Sequence, residues 1–376
     1  MKIVIAPNAF KNSLSADKVA EALALGLREY GYQGAIVQQP VGDGGDGTGA
    51  LLRHYLQAET IWSEVVDPLG RPIRAPWGWV VATKTAVIEL ADASGLRLLR
   101  PEEYNPLKAN TAGCGQLIKA ALNKGAAEIL LCIGGSATVD GGAGMLHELG
   151  VEFYDTHHQP LPPIPEALLQ LQYIDASMLD ERLEKVSIKI LCDVKNKLLG
   201  EQGAAAIFGP QKGANAKAVM LLEKMLGNFA RQANELSGVR IDTIVGGGAA
   251  GGVAAGLSAF CSVTIVDGIY YFLEKIGFEK ILEDADCVIT GEGVIDRQTI
   301  EGKAPFGVAT LAKEKGIKVI GVAGKITDEK DEVLRRYFDN LLCINKEPLP
   351  LEEAISRTRY HLIAIGKDIL DCLPNR

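Results

Sequence analysis

Lys2-Ile3-Val4-Ile5-Ala6-Pro7-Asn8-Ala9-Phe10-Lys11-Asn12-Ser13-Leu14-Ser15 opens the chain, and its texture predicts a strand, a loop and the start of a helix. Ile3-Val4-Ile5 is a continuous β-branched run, the pattern of a parallel strand buried on both faces. The helix is predicted to begin at Ser15 as N-cap, with Asp17 in its first turn and Leu14 and Val19 spaced as a hydrophobic staple. Val19, Leu23 and Leu27 then recur on one helical face, and a second strand is expected over residues 35–39. This is a β-α-β opening. Its loop, residues 8–13, lies at the carboxyl end of the first strand, where open α/β sheets bind ligands.

The same texture returns near the other end of the chain. Residues 286–290 read as a strand running into glycines, 300–314 as a helix, 318–323 and 341–344 as strands, and 351–370 as a closing helix. Between the two ends, short strands are expected over 61–74, 75–82 and 85–90, with Asp67-Pro68-Leu69-Gly70 as a turn signal. A helix over 112–123, a strand over 128–133 and helical texture over 175–185 and 216–237 follow. The expected fold class is α/β. A Rossmann-like, doubly wound parallel-sheet domain is formed by both chain ends (residues 1–62 and 283–376), and a second α/β domain is inserted at 63–282. Ligand sites favour domain interfaces, so the active site is expected in the cleft between them.

Composition narrows the function. The chain has 376 residues, 47% of them hydrophobic and 23% charged, with a net charge of −8. No Lys/Arg run forms a patch, which argues against nucleic acid. Seven cysteines are scattered, odd in number and without a C-x-x-C pair, as reduced thiols in a reducing compartment would be. The five histidines show no metal-ligand spacing. The apolar stretch at the N-terminus is too short for a signal peptide, and no run reaches the roughly 18 apolar residues of a membrane helix. A cytoplasmic location with no membrane partner is therefore expected.

Four segments concentrate glycine beside acid, hydroxyl or lysine side chains: residues 42–49, 134–144, 246–252 and 291–303. Dense glycine costs backbone entropy. It serves either tight turns or a close approach of backbone N–H groups to phosphate oxygens. None of the four is a G-x-x-x-x-G-K-[ST] loop. The first strand runs into Pro7-Asn8-Ala9-Phe10 rather than a dinucleotide glycine fingerprint, which argues against an NAD-dependent oxidoreductase. Phosphoryl transfer, by contrast, needs a donor cradle, Mg²⁺ on carboxylates, a cation on the moving phosphoryl group and an acceptor for the hydroxyl proton. The second and third segments suit phosphates. Asp43, Asp46, Asp193, Glu292 and Asp296 suit metal or base work, and Lys11, Arg71 and Lys303 suit an anionic substrate and a migrating phosphoryl group.

The opening residues 2–16 resemble the start of the bacterial glycerate kinases of the first type. The resemblance continues in order through 42–48, Asp67-Pro68-Leu69-Gly70, Asn105-Pro106-Leu107, 134–144, 246–252 and 291–309, essentially the whole chain. It implies an ATP:glycerate phosphotransferase with Mg²⁺, forming 2-phosphoglycerate. Where that family often has Asp-Ser, this chain has Asn8-Ala9, and where it has Glu between the glycines, this chain has Asp46. Asn8 can hydrogen-bond a substrate hydroxyl but cannot take its proton, which moves the base role to Asp296. On this reading Lys11 and Arg71 hold the glycerate carboxylate, with Asn8, Asp43 and Asp46 also around the substrate. Gly134, Gly135, Ser136, Thr138, Asp140, Gly141 and Gly142, with Gly246, Gly247 and Gly248, cradle ATP. Asp193 and Glu292 hold Mg²⁺, and Lys303 neutralises charge on the γ-phosphoryl group. Alternatives are a kinase for another small hydroxy acid, one giving 3-phosphoglycerate, or a silent glycerate-binding protein. A monomer or a homodimer is expected.

Overall fold

The structure is a computed structural model that describes residues 1–328, 331–347 and 349–373. Residues 329–330, 348 and 374–376, which the expected first domain also takes in, lie outside the described residues. The strands are β1 (Lys2–Ile5), β2 (Ala35–Gln38), β3 (Glu59–Val66), β4 (Pro72–Val80), β5 (Thr85–Glu89), β6 (Glu128–Cys132), β7 (Glu152–Tyr154), β8 (Tyr173–Asp175), β9 (Ser187–Cys192), β10 (Val263–Asp267), β11 (Cys287–Ile295), β12 (Lys318–Ile326) and β13 (Asn340–Cys343). The chain divides into two units, residues 1–43 with 267–376, and residues 44–266.

The first unit is built on a five-stranded sheet in the order β13-β12-β11-β1-β2, every neighbouring pair parallel. The β-branched run Ile3–Ile5 sits mid-sheet, in register with Cys287–Ile289 of β11 on one side and Ile36–Gln38 of β2 on the other. The helix Ala16–Glu29 follows Ser15, whose extended backbone starts it although its side chain makes no capping bond. Val19, Leu23 and Leu27 are fully buried against Ile3, Ile5, Ile289 and Ile320. Each such side chain contributes about 1.5–3 kcal/mol. The closing helix of the sequence reading is two helices, Leu351–Ala364 and Gly366–Asp371. Gly366 lies against Gly26, where a Cβ would come 2.5 Å from the Gly26 carbonyl carbon.

The second unit holds a six-stranded sheet in the order β10-β9-β6-β5-β4-β3 and a small antiparallel β7–β8 ribbon. β3–β4–β5 are antiparallel and β5–β6–β9 parallel. Its core includes Trp77, Phe153 and Phe229, all essentially inaccessible. Among the described residues no helix is long and apolar enough to cross a membrane.

Four expectations are corrected. The unit boundaries fall at 43/44 and 266/267. The helix Thr48–Tyr55 packs on the end of β5, with Gly49 backed onto Glu89, so residues 44–62 belong to the second unit. Residues 267–282 go to the first unit, where Ile269 packs on Gly307 and Lys2 Nζ donates to the Ile281 and Glu283 carbonyls. The expected strand over 61–74 is a hairpin, broken where Asp67 accepts the Leu69 and Arg71 amides. The helical texture over 175–185 is β8, a turn in which Asp175 accepts the Ser177 amide, and a short 3-10 helix, Glu181–Glu184. Local acceptors of this kind compete with a helix. Finally, β11 runs on through Gly291-Glu292-Gly293 instead of ending in a glycine loop. A Cβ at Gly291 would lie 1.8 Å from the Val322 carbonyl oxygen, so glycine here lets two strands stay paired.

Candidate active site

In the first unit the backbone of Asn8 zips onto β11 through its N–H to the Gly291 carbonyl, 2.8 Å. That places Asn8 beside Asp43, to which its Nδ2 donates at 2.8 Å. Asp43 Oδ2 also accepts from the Ala304 N–H, 3.3 Å, at the start of the helix Ala304–Glu314. Both side chains are buried. A carboxylate at that helix N-terminus is favoured by the orphan amides and the dipole.

Glu292 projects from the extended part of β11 and is 7% exposed. Thr299 Oγ1 donates to its Oε1 at 2.9 Å, and Lys303 Nζ stands 3.7 Å from Oε2. Burial pushes its carboxyl up to about 7; the Lys303 and Lys11 charges and the Thr299 hydroxyl pull it down, and Asp43 pushes it up. A buried acid poised near neutrality among lysines fits a functional site better than a structural ion pair. Asp296 directly follows the end of β11. Its N–H donates to Thr299 Oγ1 at 3.1 Å, and its Oδ1 accepts the Thr299 N–H at 3.3 Å. Thr299, fully buried, therefore ties the two carboxylates together; sequence reasoning missed it. Asp296 lines a cavity of about 360 Å³ with Arg297, Thr327, Asp328 and Asp331, and Arg297 is ion-paired to Asp331 at 2.6 Å. Lys11 is exposed on the loop after β1.

In the second unit three glycine segments meet backbone to backbone. The Gly134 N–H donates to the Gly44 carbonyl, and a Cβ at Gly134 would lie 2.3 Å from Gly45 Cα. The Gly141 N–H donates to the Gly251 carbonyl, and a Cβ at Gly256 would lie 1.9 Å from the Gly141 carbonyl oxygen. Much of the glycine density is thus explained by close packing. Gly246, Gly247 and Gly248 are buried, and a Cβ at Gly248 would lie 2.3 Å from the Lys197 carbonyl oxygen. Asp140 is fully buried and accepts four bonds, from the N–H groups of Thr111, Gly142 and Gly144 and from the Thr111 hydroxyl. Burial pushes its carboxyl up and these donors pull it down. Asp140, Thr138, Gly141, Gly142 and the 246–248 turn are scaffold rather than open cradle.

The turn after β6 is open. Gly134 is half-buried, Gly135 is exposed and Ser136 is 6% exposed. Among the described residues the N–H groups of Gly135 and Ser136 find no acceptor. Beneath the turn lies Lys212, 3% exposed, whose Nζ donates to Ser136 Oγ and to the Thr138 carbonyl at 2.7 Å each. Burial brings Lys212 down to about 7, with Asp140 acting in the opposite sense. At the end of β5, Glu89, 1% exposed, accepts the Gly47 N–H at 2.5 Å and the Ala50 N–H at 3.2 Å. Burial raises its carboxyl to about 7, Asp92 and Asp46 raise it further, and the Gly47 N–H and Arg97 pull it down. Arg97 is ion-paired to Asp46 and Asp92. Neither Lys212 nor Glu89 entered the sequence reading. Their signals were a lysine inside Gly209-Pro210-Gln211-Lys212-Gly213 and an acid closing the apolar run Ala86-Val87-Ile88.

Two further candidates are placed as follows. Arg71 is engaged by Asp67 Oδ2 at 2.5 Å and Glu103 Oε1 at 2.7 Å, which commits its guanidinium to the β3–β4 turn. Asp193 follows β9 and belongs to the second unit, whereas Glu292 belongs to the first. Among the described residues no three His, Cys, Asp or Glu side chains converge to hold a metal ion.

A doubly wound sheet with lysine-flanked acids at its strand ends, and a mixed α/β unit whose open turn presents amides above a lysine, define this chain as an α/β phosphotransferase. The glycerate kinase family model matches residues 3–373. The glycerate kinase of Bacillus subtilis (strain 168) is 43% identical over 370 residues, covering 98% of this chain and 97% of the relative. The glycerate 2-kinase of Escherichia coli (strain K12) is 41% identical over 369 residues, with 98% and 97% covered. A Salmonella typhimurium LT2 crystal structure provisionally assigned as glycerate kinase 2 superposes with a TM-score of 0.80 at 39% identity, covering 99% of this chain and 98% of that one. The chain belongs to the glycerate kinase family.

Proposed function

We propose that the chain transfers the γ-phosphoryl group of ATP to glycerate, with Mg²⁺, and forms 2-phosphoglycerate. The observation that carries this reading is the Glu292–Thr299–Asp296 arrangement with Lys303, set at the carboxyl end of a parallel sheet, where such folds bind ligands. The E. coli relative's designation as a glycerate 2-kinase supports the position of the phosphate.

The C2 hydroxyl oxygen of glycerate forms a bond to the γ-phosphorus as the bond to the β,γ-bridging oxygen breaks. ADP leaves with that electron pair, and the hydroxyl proton passes to the Asp296 carboxylate, which Thr299 holds in place. Lys11 binds the substrate carboxylate, with Asn8 and Asp43 orienting the hydroxyl side. Lys303 offsets the charge on the moving phosphoryl group. In the second unit, the amides of Gly135 and Ser136 take phosphate oxygens. Glu292 supplies a hard oxygen donor of the kind that Mg²⁺ prefers. This ion keeps several waters and phosphate oxygens and takes only one or two carboxylates, which suits a chain without a three-acid cluster among the described residues. Bound there, Mg²⁺ would neutralise charge on the ATP phosphates.

The test is ADP release by the purified protein, measured with a coupled assay against a panel of glycerate, lactate, malate and tartronate. Turnover with glycerate at least tenfold above the others is the expected outcome. ADP release no faster with glycerate than without it contradicts the proposal.

A further inference from the structure

Lys212 is a buried cation without a carboxylate in contact. Its turn, Pro210–Lys212, ends at Gly213, whose left-handed backbone (φ 98°) fits against the Tyr104 carbonyl. Among the described residues it makes no ion pair, and its acceptors are a hydroxyl and a main-chain carbonyl. Burying an ammonium without a counter-charge is costly. A structural bond to Thr138 and Ser136 needs only a neutral donor.

The hydrogen-bond directions supply a reason for the charge. An ammonium has three donors and no acceptor. With Lys212 donating to Ser136 Oγ, the serine proton is directed away from it. The Ser136 hydroxyl then joins the N–H groups of Gly135 and Ser136 as a third donor on one turn, none of the three with an acceptor among the described residues. Three donors on one turn, backed by a positive charge, are the makings of an anion site. We propose that Lys212 is a positioning residue, which fixes Ser136 as a phosphate donor and places the charge that makes the Gly135–Ser136 turn bind the phosphates of ATP. This rests on the reading of the chain as an ATP-dependent kinase and names which buried group governs its nucleotide affinity.

The charge is conditional. Lys212 is held down to about 7 by burial, so it loses its proton as pH rises from 6.5 to 8.5, unless an anion is bound. The charged groups near it are Asp140 on the same glycine segment, whose charge favours the ammonium, and Asp46, whose side chain lies against Gly135 from the 44–47 loop.

The experiment measures binding of ATP and of adenosine by calorimetry, at pH 6.5 and 8.5, to wild-type protein, K212M and S136A. ATP binding by K212M is expected to weaken at least ~tenfold, the size of one charge-assisted hydrogen bond, with adenosine binding within twofold of wild type. The loss of ATP affinity that wild type shows between the two pH values should shrink in K212M. Equal weakening for ATP and adenosine, or an unchanged pH difference, assigns Lys212 a purely structural role and overturns the proposal. Should K212M fail to fold, S136A decides: wild-type ATP affinity in S136A overturns the proposal, and selective loss of ATP over adenosine supports it. Wild-type protein that binds adenosine and ATP equally, yet phosphorylates glycerate, overturns this inference alone. Wild-type protein with no ATP turnover overturns the kinase reading beneath it.

Discussion

Replacing Glu292 with glutamine should make the protein more stable above pH 7 and catalytically poor. Glu292 is buried, and its carboxyl is raised from the ordinary 4.5 to about 7, chiefly by burial. Below pH 4.5 the group is protonated in the folded and unfolded chain alike. Between 4.5 and 7 the unfolded chain gives up the proton first, so stability falls as pH rises, and above 7 the loss is complete. A difference of about 2.5 pH units at ~1.4 kcal/mol each is about 3 kcal/mol. Glutamine carries no such penalty. Its Oε1 still accepts from Thr299 Oγ1, and Lys303, partly exposed, regains water. The assay is urea unfolding of wild type and E292Q at pH 5 and pH 8, with turnover measured in parallel. The stability advantage of E292Q should grow by about 2.5 kcal/mol between the two pH values, and turnover should fall ~10²-fold or more, the scale of losing an acid–base or metal-binding carboxylate. An offset between the two proteins that is the same at both pH values refutes the argument that burial drives the shift. A variant that is fully active refutes the placement of Glu292 in the site.

D296N should lower turnover by ~10²–10⁴-fold with an unchanged circular dichroism spectrum, as loss of a general base does. Because Arg71 is committed to Asp67 and Glu103, R71M should leave the KM for glycerate within about threefold of wild type, a shift worth under ~1 kcal/mol; a rise of tenfold or more would restore the substrate role that the sequence suggested. G251A should lower Tm by several degrees, since a Cβ there would lie 2.1 Å from the Thr138 carbonyl oxygen at a φ of 72°; a cost above ~2 kcal/mol is expected.

How legible all this was depended on the range of the forces involved. β1, the helix Ala16–Glu29 and the return of both chain ends to one sheet were readable, because β-branched runs and 3.6-residue periodicity are local signals. The boundary at residue 43 was not. Gly49 has to meet Glu89, forty residues on, before the helix Thr48–Tyr55 joins the second unit, and no local pattern encodes that contact. The glycine segments were found but over-read: Gly248, Gly251 and Gly256 serve close packing, whereas the Gly134–Ser136 turn stays open. Lys11, Asp43, Asp296 and Lys303 were nameable from their neighbours in sequence. Thr299, Glu89 and Lys212 gain their meaning only from burial and partners, which tertiary structure alone supplies.

The most direct test of the account is the phosphorus NMR spectrum of the product made from ATP, Mg²⁺ and glycerate by the purified protein. A phosphate ester split by the single proton on C2 is the predicted result. A signal split by the two protons on C3, or no ester beyond that of a protein-free control, contradicts it.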